Sequence, residues 1–404
     1  MKACFMGLGY IGLPTSIIVA KHGITVCGVD INQSVVEMTN RGQLHIIEPD
    51  LGEMLREVIA CSNFKAYTKP QVCDAYFMVV PTPFKDDHQP DISYIESATR
   101  MVIPLLKEGD LYVIESTSPI GTTLLMADLI FQQRPELKDK IYIAYCPERV
   151  LPGNVVYELI HNDRVIGGLD KASTQKAMEF YGQFVRGTLH PTDCKTAEMC
   201  KLTENASRDT QIAFANELSL ICDKAGINVW ELIELANKHP RVKILQPGCG
   251  VGGHCIAVDP YFITADFPRE SQLMATARKT NNYKTFWCAE KIKETILQFE
   301  IHRHRKPKVA MMGLAFKPNI DDLRESPAKA ITVKIMQAID NDYLMVVEPN
   351  VANHHLFKLT SYKEAYEKAD IVVFLVNHRE FSELNYREEV EILDFCGTLK
   401  KQQP

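Results

Sequence analysis

Gly7-Leu8-Gly9-Tyr10-Ile11-Gly12 stands between the apolar run Ala3–Met6 and the apolar stretch Leu13–His22. A strand that stops at three spaced glycines and resumes as a helix can fold in few ways. The first glycine permits the tight turn, the second lets the backbone approach a diphosphate, and the third lets helix and strand pack closely. The helix start offers N–H groups to the phosphates. Asp30 follows the strand-like run Thr25–Val29, 18 residues after Gly12, where a carboxylate accepts hydrogen bonds from the adenosine ribose hydroxyls. That carboxylate repels a 2′-phosphate, and Ile31-Asn32-Gln33 supplies no arginine, so the expected ligand is NAD rather than NADP. Gly7, Gly9, Tyr10, Ile11, Gly12 and Asp30 are its expected contacts.

The same alternation continues through Ala75–Val80, Leu111–Glu115, Ile141–Ala144 and Arg164–Ile166, the pattern of βαβ units on a buried parallel sheet. From Thr196 to Ala225 the periodicity turns helical, with Gly226 suited to a C-cap. After the basic stretch His302–Lys308, strand-like runs return at Val309–Met312, Leu344–Val347 and Ile371–Val376. This last section echoes the first: KACFMGLGY (2–10) with KVAMMGLAF (308–316), VDIN (29–32) with VEPN (347–350), and DAYFMVV (74–80) with DIVVFLV (370–376). The expected fold is α/β, with two Rossmann-like doubly wound parallel-sheet domains joined by a central helical domain built on a long helix. The domain boundaries read as 1–190, 191–299 and 300–404. Only Gly313 of the three glycines recurs, so the last domain is not expected to hold a second dinucleotide in the same way.

Composition narrows the function. Lys plus Arg number 45 against 51 Asp plus Glu, a net charge of −6, which gives no general attraction for nucleic acid or anionic lipid. Neither is an expected partner. The longest apolar stretches fall well short of the roughly 20 residues of a spanning helix, and Lys2 leads directly into a strand, so no signal peptide is expected. Twelve cysteines scattered without CxxC pairs point to reduced thiols in a cytoplasmic protein. Cys249 and Cys255 lie close to His254, but the spacing lacks the paired clusters of a zinc site, and no metal is expected.

Two further patterns carry chemistry. Gly248–Cys255 packs four glycines into eight residues and sets Cys255 near the start of a possible helix, where a thiol is more readily ionised and can act as a nucleophile. In the long helix Lys201, Asn205 and Arg208 fall at i, i+4 and i+7 on one face. Leu202, Ile212, Phe214, Leu218 and Ile221 make the rest of that helix too apolar to be freely exposed, so the polar face reads as the lining of a cleft where Lys201 and Asn205 polarise a substrate oxygen.

These segments, with VPTPFK (80–85), ESTSPIG (115–121), YCPERVLPG (145–153), NDRVIGG (162–168), AEMCKLTEN (197–205), NELSLIC (216–222), HPRV (239–242), GVGGHCIAVDP (250–260) and GLAFKPNIDDLRESPA (313–328), resemble the UDP-glucose/GDP-mannose dehydrogenase family over nearly the whole chain. The resemblance implies oxidation of carbon 6 of a nucleotide-linked hexose from alcohol to carboxylate by two hydride transfers to two NAD molecules. It makes Cys255 the nucleophile that captures the aldehyde as a thiohemiacetal and then carries a thioester. It puts Lys201 and Asn205 at the reacting oxygen, Asp259 as the water activator and Glu148 in acid/base work. Thr82 and Thr117 would line the NAD site and Arg324 would reach the cofactor. Arg149, Val150, Lys201, Asn205, Arg208, Gly252 and Lys317 match substrate contacts. His239 and Arg241 match a segment that can reach a neighbouring subunit's site, which with the central helices implies a homodimer or higher homo-oligomer.

Where UDP-glucose enzymes of the family carry a second glutamate four residues after the first, this chain has Pro152, and before the thiol it has His254. These versions resemble the UDP-N-acetylhexosamine branch. They imply UDP-N-acetyl-D-mannosamine as substrate, with UDP-N-acetylglucosamine as the alternative and UDP-glucose behind both. A two-electron dehydrogenase of the 6-phosphogluconate or hydroxyacyl type would share the first domain and long helix but need no thiol.

Overall fold

The computed structural model describes residues 1–46, 48–85, 89–150, 153–253, 255–385 and 387–399. It divides into two compact units, Met1–Glu204 with Tyr261–Asp266, and Asn205–Pro260 with Phe267–Pro404. Pro152 and His254 lie outside the described residues.

The first unit is built on eight strands: β1 (Lys2–Met6), β2 (Thr25–Val29), β3 (Phe64–Tyr67), β4 (Ala75–Met78), β5 (Leu111–Ile114), β6 (Tyr142–Tyr145), β7 (Arg164–Gly168) and β8 (Leu189–Asp193). Their order in the sheet is β3-β2-β1-β4-β5-β6-β7-β8. β1, β4, β5 and β6 are apolar on both faces because helices cover both, as a parallel sheet requires. Phe5 and Phe77, side by side on β1 and β4, stack at 4.6 Å between ring centroids and anchor one face. The helix Gly12–Lys21 is buried along nine of its ten residues, so it sits inside this layer rather than on it.

The sheet is parallel, as expected, with one exception: β7 runs antiparallel to β6. Among the described residues, the connection between them carries the seven-residue helix Val155–His161. β8 is parallel to β7 again and ends the sheet with Pro191 among largely exposed residues, the usual place for proline in a sheet.

The second unit contains most of two 32-residue helices, Cys194–Ala225 and Gln272–Arg303. Their contact is polar at its centre. Arg278 pairs with Asp209 at 2.5 Å, both nearly fully buried, while Asn281 bonds Asp209 and Asn216 at 2.8 Å each. Burial pushes the Asp209 carboxyl up, with Arg278 and Asn281 opposing that shift. Gly226 ends the first helix in the left-handed region at φ 68°, as its C-cap reading predicts. Phe214 and Ile221, expected to be covered, are 58% and 57% exposed in the single chain. The second helix continues to Arg303, so the basic stretch begins inside its last turn, where cations complement the helix dipole.

A four-stranded parallel sheet completes the unit, with β9 (Val309–Met312), β10 (Leu344–Val347), β11 (Ile371–Phe374) and β12 (Glu391–Asp394) in the order β10-β9-β11-β12. The echo between the two ends of the chain is structural. Gly7 and Gly313 hold φ of 101° and 100°, and their N–H groups bond Val29 and Val347 carbonyls at 2.8 and 2.9 Å. A Cβ on Gly7 would strike the Val79 carbonyl, and one on Gly313 the Val376 side chain. The next N–H bonds an acid on the neighbouring strand end, Leu8 to Asp30 and Leu314 to Glu348.

The acids then diverge. Glu348 is fully buried and its oxygens are taken by the N–H groups of Leu314, Ala315 and Asn350 and by His378 Nε2 at 3.1 Å. His378 Nδ1 accepts from Asn319 N–H at 3.0 Å, so the proton belongs on Nε2, facing the carboxylate. Nothing is left on Glu348 for a ribose. Burial raises its pKa, but the bonds from His378, Leu314 and Asn350 outweigh burial and hold it below the ordinary value. A depressed carboxyl stabilises the fold above its unfolded pKa and loses that contribution as pH falls. Glu348→Gln, which sets an amide N–H against these donors, should therefore cost about 2 kcal/mol at pH 7 and abolish the extra acid lability that sets in below about pH 4.3. Trp230 and Trp287, the chain's two tryptophans, both lie in this unit, so urea unfolding followed by their fluorescence from pH 7 to 3 reads the difference.

Candidate active site

The three glycines of the first turn divide their work as the sequence suggests. Gly7 carries the positive φ, and a Cβ on Gly12 would collide with the Gly7 carbonyl. At Gly9 a Cβ would meet nothing within 4 Å, so the missing side chain leaves room beside the turn rather than relieving a contact. No side chain caps the helix at Ile11. Tyr10 is 51% exposed and Ile11 half-buried on the same turn. Asp30 accepts from Leu8 N–H at 3.2 Å and Asn32 N–H at 2.9 Å. A carboxylate has about four acceptor positions, so capacity for two ribose hydroxyls remains. Thr82 and Thr117 are half-buried beyond β4 and β5. Ser116 Oγ donates to the Val80 carbonyl at 2.7 Å, tying together the loops that carry them. The cradle fits a dinucleotide with free ribose hydroxyls.

Beyond β6, Glu148 meets the long helix. The Lys201 ammonium, 7% exposed, donates to the Glu148 carbonyl at 2.9 Å and lies 3.4 Å from its Oε1. Glu148 Oε2 accepts from Val150 N–H at 2.8 Å, and Arg149 is paired with Glu204 at 2.6 Å on the same helix. Sequence reasoning missed the acid that holds this loop from behind. Glu48, 8% exposed, accepts from Gly153 N–H at 3.0 Å and Val155 N–H at 2.7 Å, capping the Val155–His161 helix that Asn154 leaves uncapped. A lone Glu 105 residues upstream has no local signal of that role.

In the second unit the glycine turn is a packing device as well as an approach surface. A Cβ on Gly250 would strike Thr285, and one on Gly252 would fall 2.7 Å from Pro327 and 2.8 Å from Phe316. Cys249 is sealed in, its thiol 3.4 Å from the Leu375 carbonyl and pushed up to about 12 by burial. Cys255 is only half-buried. It does not start the helix: Asp259–Asp266 begins four residues later, and the Cys255 carbonyl accepts from Val258 and Asp259 N–H at 3.0 and 2.8 Å. Asn205 donates to Asp259 Oδ2 at 2.5 Å, and Asp259 is 3% exposed.

Thus the structure joins Lys201 to Glu148, and Asn205 through Asp259 to the Cys255 backbone. Of the predicted polar face, Lys201 and Asn205 turn inward, whereas Arg208 is exposed. His239, Arg241 and Lys317 are exposed as well, and Arg324 is held bidentately by Asp322, donating from Nη2 to Oδ2 at 2.7 Å and from Nε to Oδ1 at 3.0 Å.

Comparison with known proteins agrees along the chain. Residues 1–185, 195–283 and 310–398 match the NAD binding, central and UDP binding domains of the UDP-glucose/GDP-mannose dehydrogenase family. The chain is 51% identical over 398 residues, 94% of each chain, to UDP-N-acetyl-D-mannosamine dehydrogenase of Escherichia coli (strain K12). It is 49% identical to an NDP-N-acetyl-D-galactosaminuronic acid dehydrogenase of Ralstonia nicotianae, covering 94% of this chain and 91% of the relative. Among solved structures, UDP-D-ManNAc dehydrogenase of Pyrococcus horikoshii superposes with a TM-score of 0.88 at 36% identity, over 100% of this chain and 97% of that one.

The cradle makes a separable prediction. Gly9→Val should leave thermal stability unchanged and weaken NAD binding at least about tenfold, some 1.4 kcal/mol, by calorimetric titration without sugar. Gly7→Ala, which forces a methyl group onto φ 101° and the Val79 carbonyl, should instead lower the melting temperature. Equal losses of stability in both variants would contradict the division of roles.

Proposed function

The chain belongs to the UDP-glucose/GDP-mannose dehydrogenase family, and from that premise we propose that it oxidises carbon 6 of UDP-N-acetyl-D-mannosamine to the uronate. The observation carrying this substrate is the 51% identity with the Escherichia coli enzyme of that name across 94% of both chains. In net terms the alcohol, two NAD⁺ and water give the carboxylate, two NADH and three protons. Bound NAD supplies the hydride acceptor for both oxidations, held by Gly7, Gly9, Tyr10, Ile11, Gly12, Asp30, Thr82, Thr117 and Arg324.

The remaining steps belong to side chains. Lys201 and Asn205 polarise the carbon 6 oxygen and stabilise the negative charge that grows on it. The Cys255 thiolate adds to the aldehyde carbon, its oxygen gains a proton, and the resulting thiohemiacetal becomes a thioester in the second oxidation. Water then attacks the thioester carbon with Asp259 or Glu148 taking its proton, and the carbon–sulfur bond breaks to return the thiol. In support, Lys201 already faces Glu148, and Asn205 already holds Asp259. Arg149, Val150, Arg208, His239, Arg241, Gly252 and Lys317 contact the UDP-sugar, the arginines suiting its diphosphate. Residues 1–190 serve NAD, 191–299 catalysis and dimerisation, and 300–404 the UDP-sugar. The enzyme works in the cytoplasm as a homodimer or higher assembly; no helix among the described residues is long and apolar enough to cross a membrane.

Purified protein with NAD and each of UDP-N-acetylmannosamine, UDP-N-acetylglucosamine, UDP-N-acetylgalactosamine and UDP-glucose tests this. Two NADH per UDP-N-acetylmannosamine are expected. Turnover of another sugar alone, or one NADH per sugar, would overturn the assignment. Cys255→Ser should lower uronate formation by at least about 10³-fold, while NAD binding is retained.

A further inference from the structure

We infer that Glu198 is a positioning residue that sets the cofactor loop against the helix carrying Lys201, an inference that rests on the oxidoreductase reading above. Glu198 lies one turn before Lys201 on the long helix and has no solvent exposure. Its Oε1 accepts from Thr123 N–H at 2.8 Å and Thr123 Oγ–H at 2.6 Å, and its Oε2 from Gly121 N–H at 2.6 Å. These donors form the start of the helix Thr122–Gln133, whose N-cap, Gly121 at φ 90°, has no side chain to cap it. The cap comes from 75 residues away.

The consequence runs in two directions. Toward the cofactor, Gly121 closes the loop that follows β5, in which Ser118 Oγ donates to the Ser116 carbonyl at 2.8 Å and Ser116 Oγ to that of Val80. Thr117 thus sits on backbone that ends at Glu198, and Thr82 follows Val80, which Ser116 ties to that backbone. Toward catalysis, Lys201 on the next turn reaches the Glu148 carbonyl. A rigid helical turn is the only material between the two anchor points.

A carboxylate is the group this place requires. Three donors converge on two oxygens; burial leaves the Glu198 pKa raised on balance, with the Thr123 and Gly121 bonds opposing that shift. The balancing charge is the positive end of the Thr122–Gln133 helix. At Gly12–Lys21 the equivalent end is not capped by a side chain and suits the cofactor's diphosphate. At Thr122–Gln133 the protein fills the position itself, so this helix start orients a loop instead of binding a ligand.

Glu198→Gln keeps the shape but can face only one oxygen inward, which sets its amide N–H against Gly121 or Thr123. If Glu198 positions the loop and Lys201, the folded variant should show an NAD Kd raised about tenfold and a kcat lowered about tenfold, with the Kd for UDP-N-acetylmannosamine unchanged. A lower melting temperature with NAD Kd and kcat unchanged would overturn the inference and leave Glu198 a staple of the fold. If Glu198→Gln does not fold, Thr123→Val decides, since it removes one of three bonds: a smaller rise in NAD Kd supports the inference, and none refutes it. NAD titration needs no sugar. Failure of the wild type to oxidise any UDP-hexosamine would sink the substrate reading while that titration still judged Glu198.

Discussion

Both sheets turn on one arrangement: a glycine in the left-handed region after the first strand, its N–H on the neighbouring strand, and the next N–H on an acid at that strand's end. The arrangement brings the chain off the sheet abruptly enough for the following segment to open at the carboxyl edge. In parallel sheets that edge is where ligands gather. Once Gly7, Leu8 and Asp30 are fixed, the open Gly9 and the uncapped start of Gly12–Lys21 follow, and with them a dinucleotide cradle. The second copy repeats the bonds but spends its acid differently. Glu348 is longer than Asp30 by a methylene, reaches two N–H groups of the turn and is closed off by His378. One inherited geometry therefore yields an open acceptor in one unit and a sealed brace in the other.

Buried glutamates recur wherever a loop must be held without a neighbouring strand. Glu48, Glu198 and Glu348 each accept two or more backbone N–H groups, and the first two cap helices from far along the chain. Stripping water from a carboxylate is costly, and only a full set of donors offsets it. Such a site therefore tolerates little rearrangement: a loop that moved would strand the charge. That is the physical sense in which these acids confer rigidity on the segments bearing Thr117, Glu148 and Lys317.

The strands whose apolar runs were continuous were legible in the sequence, as were the long helix with its Gly226 cap and the duplication, because burial on both faces and glycine turns leave local marks. FKAY (64–67), LHPTD (189–193) and EILD (391–394) were not, since edge and near-edge strands need less apolar surface and these carry charges, a proline or both. The reversal of β7 had no local mark either, because an apolar run of this kind serves a strand of either direction. Lys201, Asn205 and Cys255 were marked as candidates by spacing and glycines. Glu48 and Glu198 did not, although Glu198 lies inside the quoted AEMCKLTEN segment, because their partners are over 70 residues away.

The position of Cys255 shows how close a sequence reading can come while misplacing the cause. The glycine turn does set the thiol before a helix, but Cys255 is four residues ahead of the helix start and engages it through its carbonyl, which receives the Asp259 N–H. Its setting thus depends on Asp259, and Asp259 is in turn gripped by Asn205. The glycines contribute by disappearing: at 250 and 252 a single methyl group would press on Thr285, Pro327 and Phe316. Cys249, six residues earlier, shares the turn and ends with its thiol buried against a carbonyl and its pKa raised. Two thiols on one glycine-rich segment are therefore separated by environment alone, the inert one facing the core and the other only half-covered.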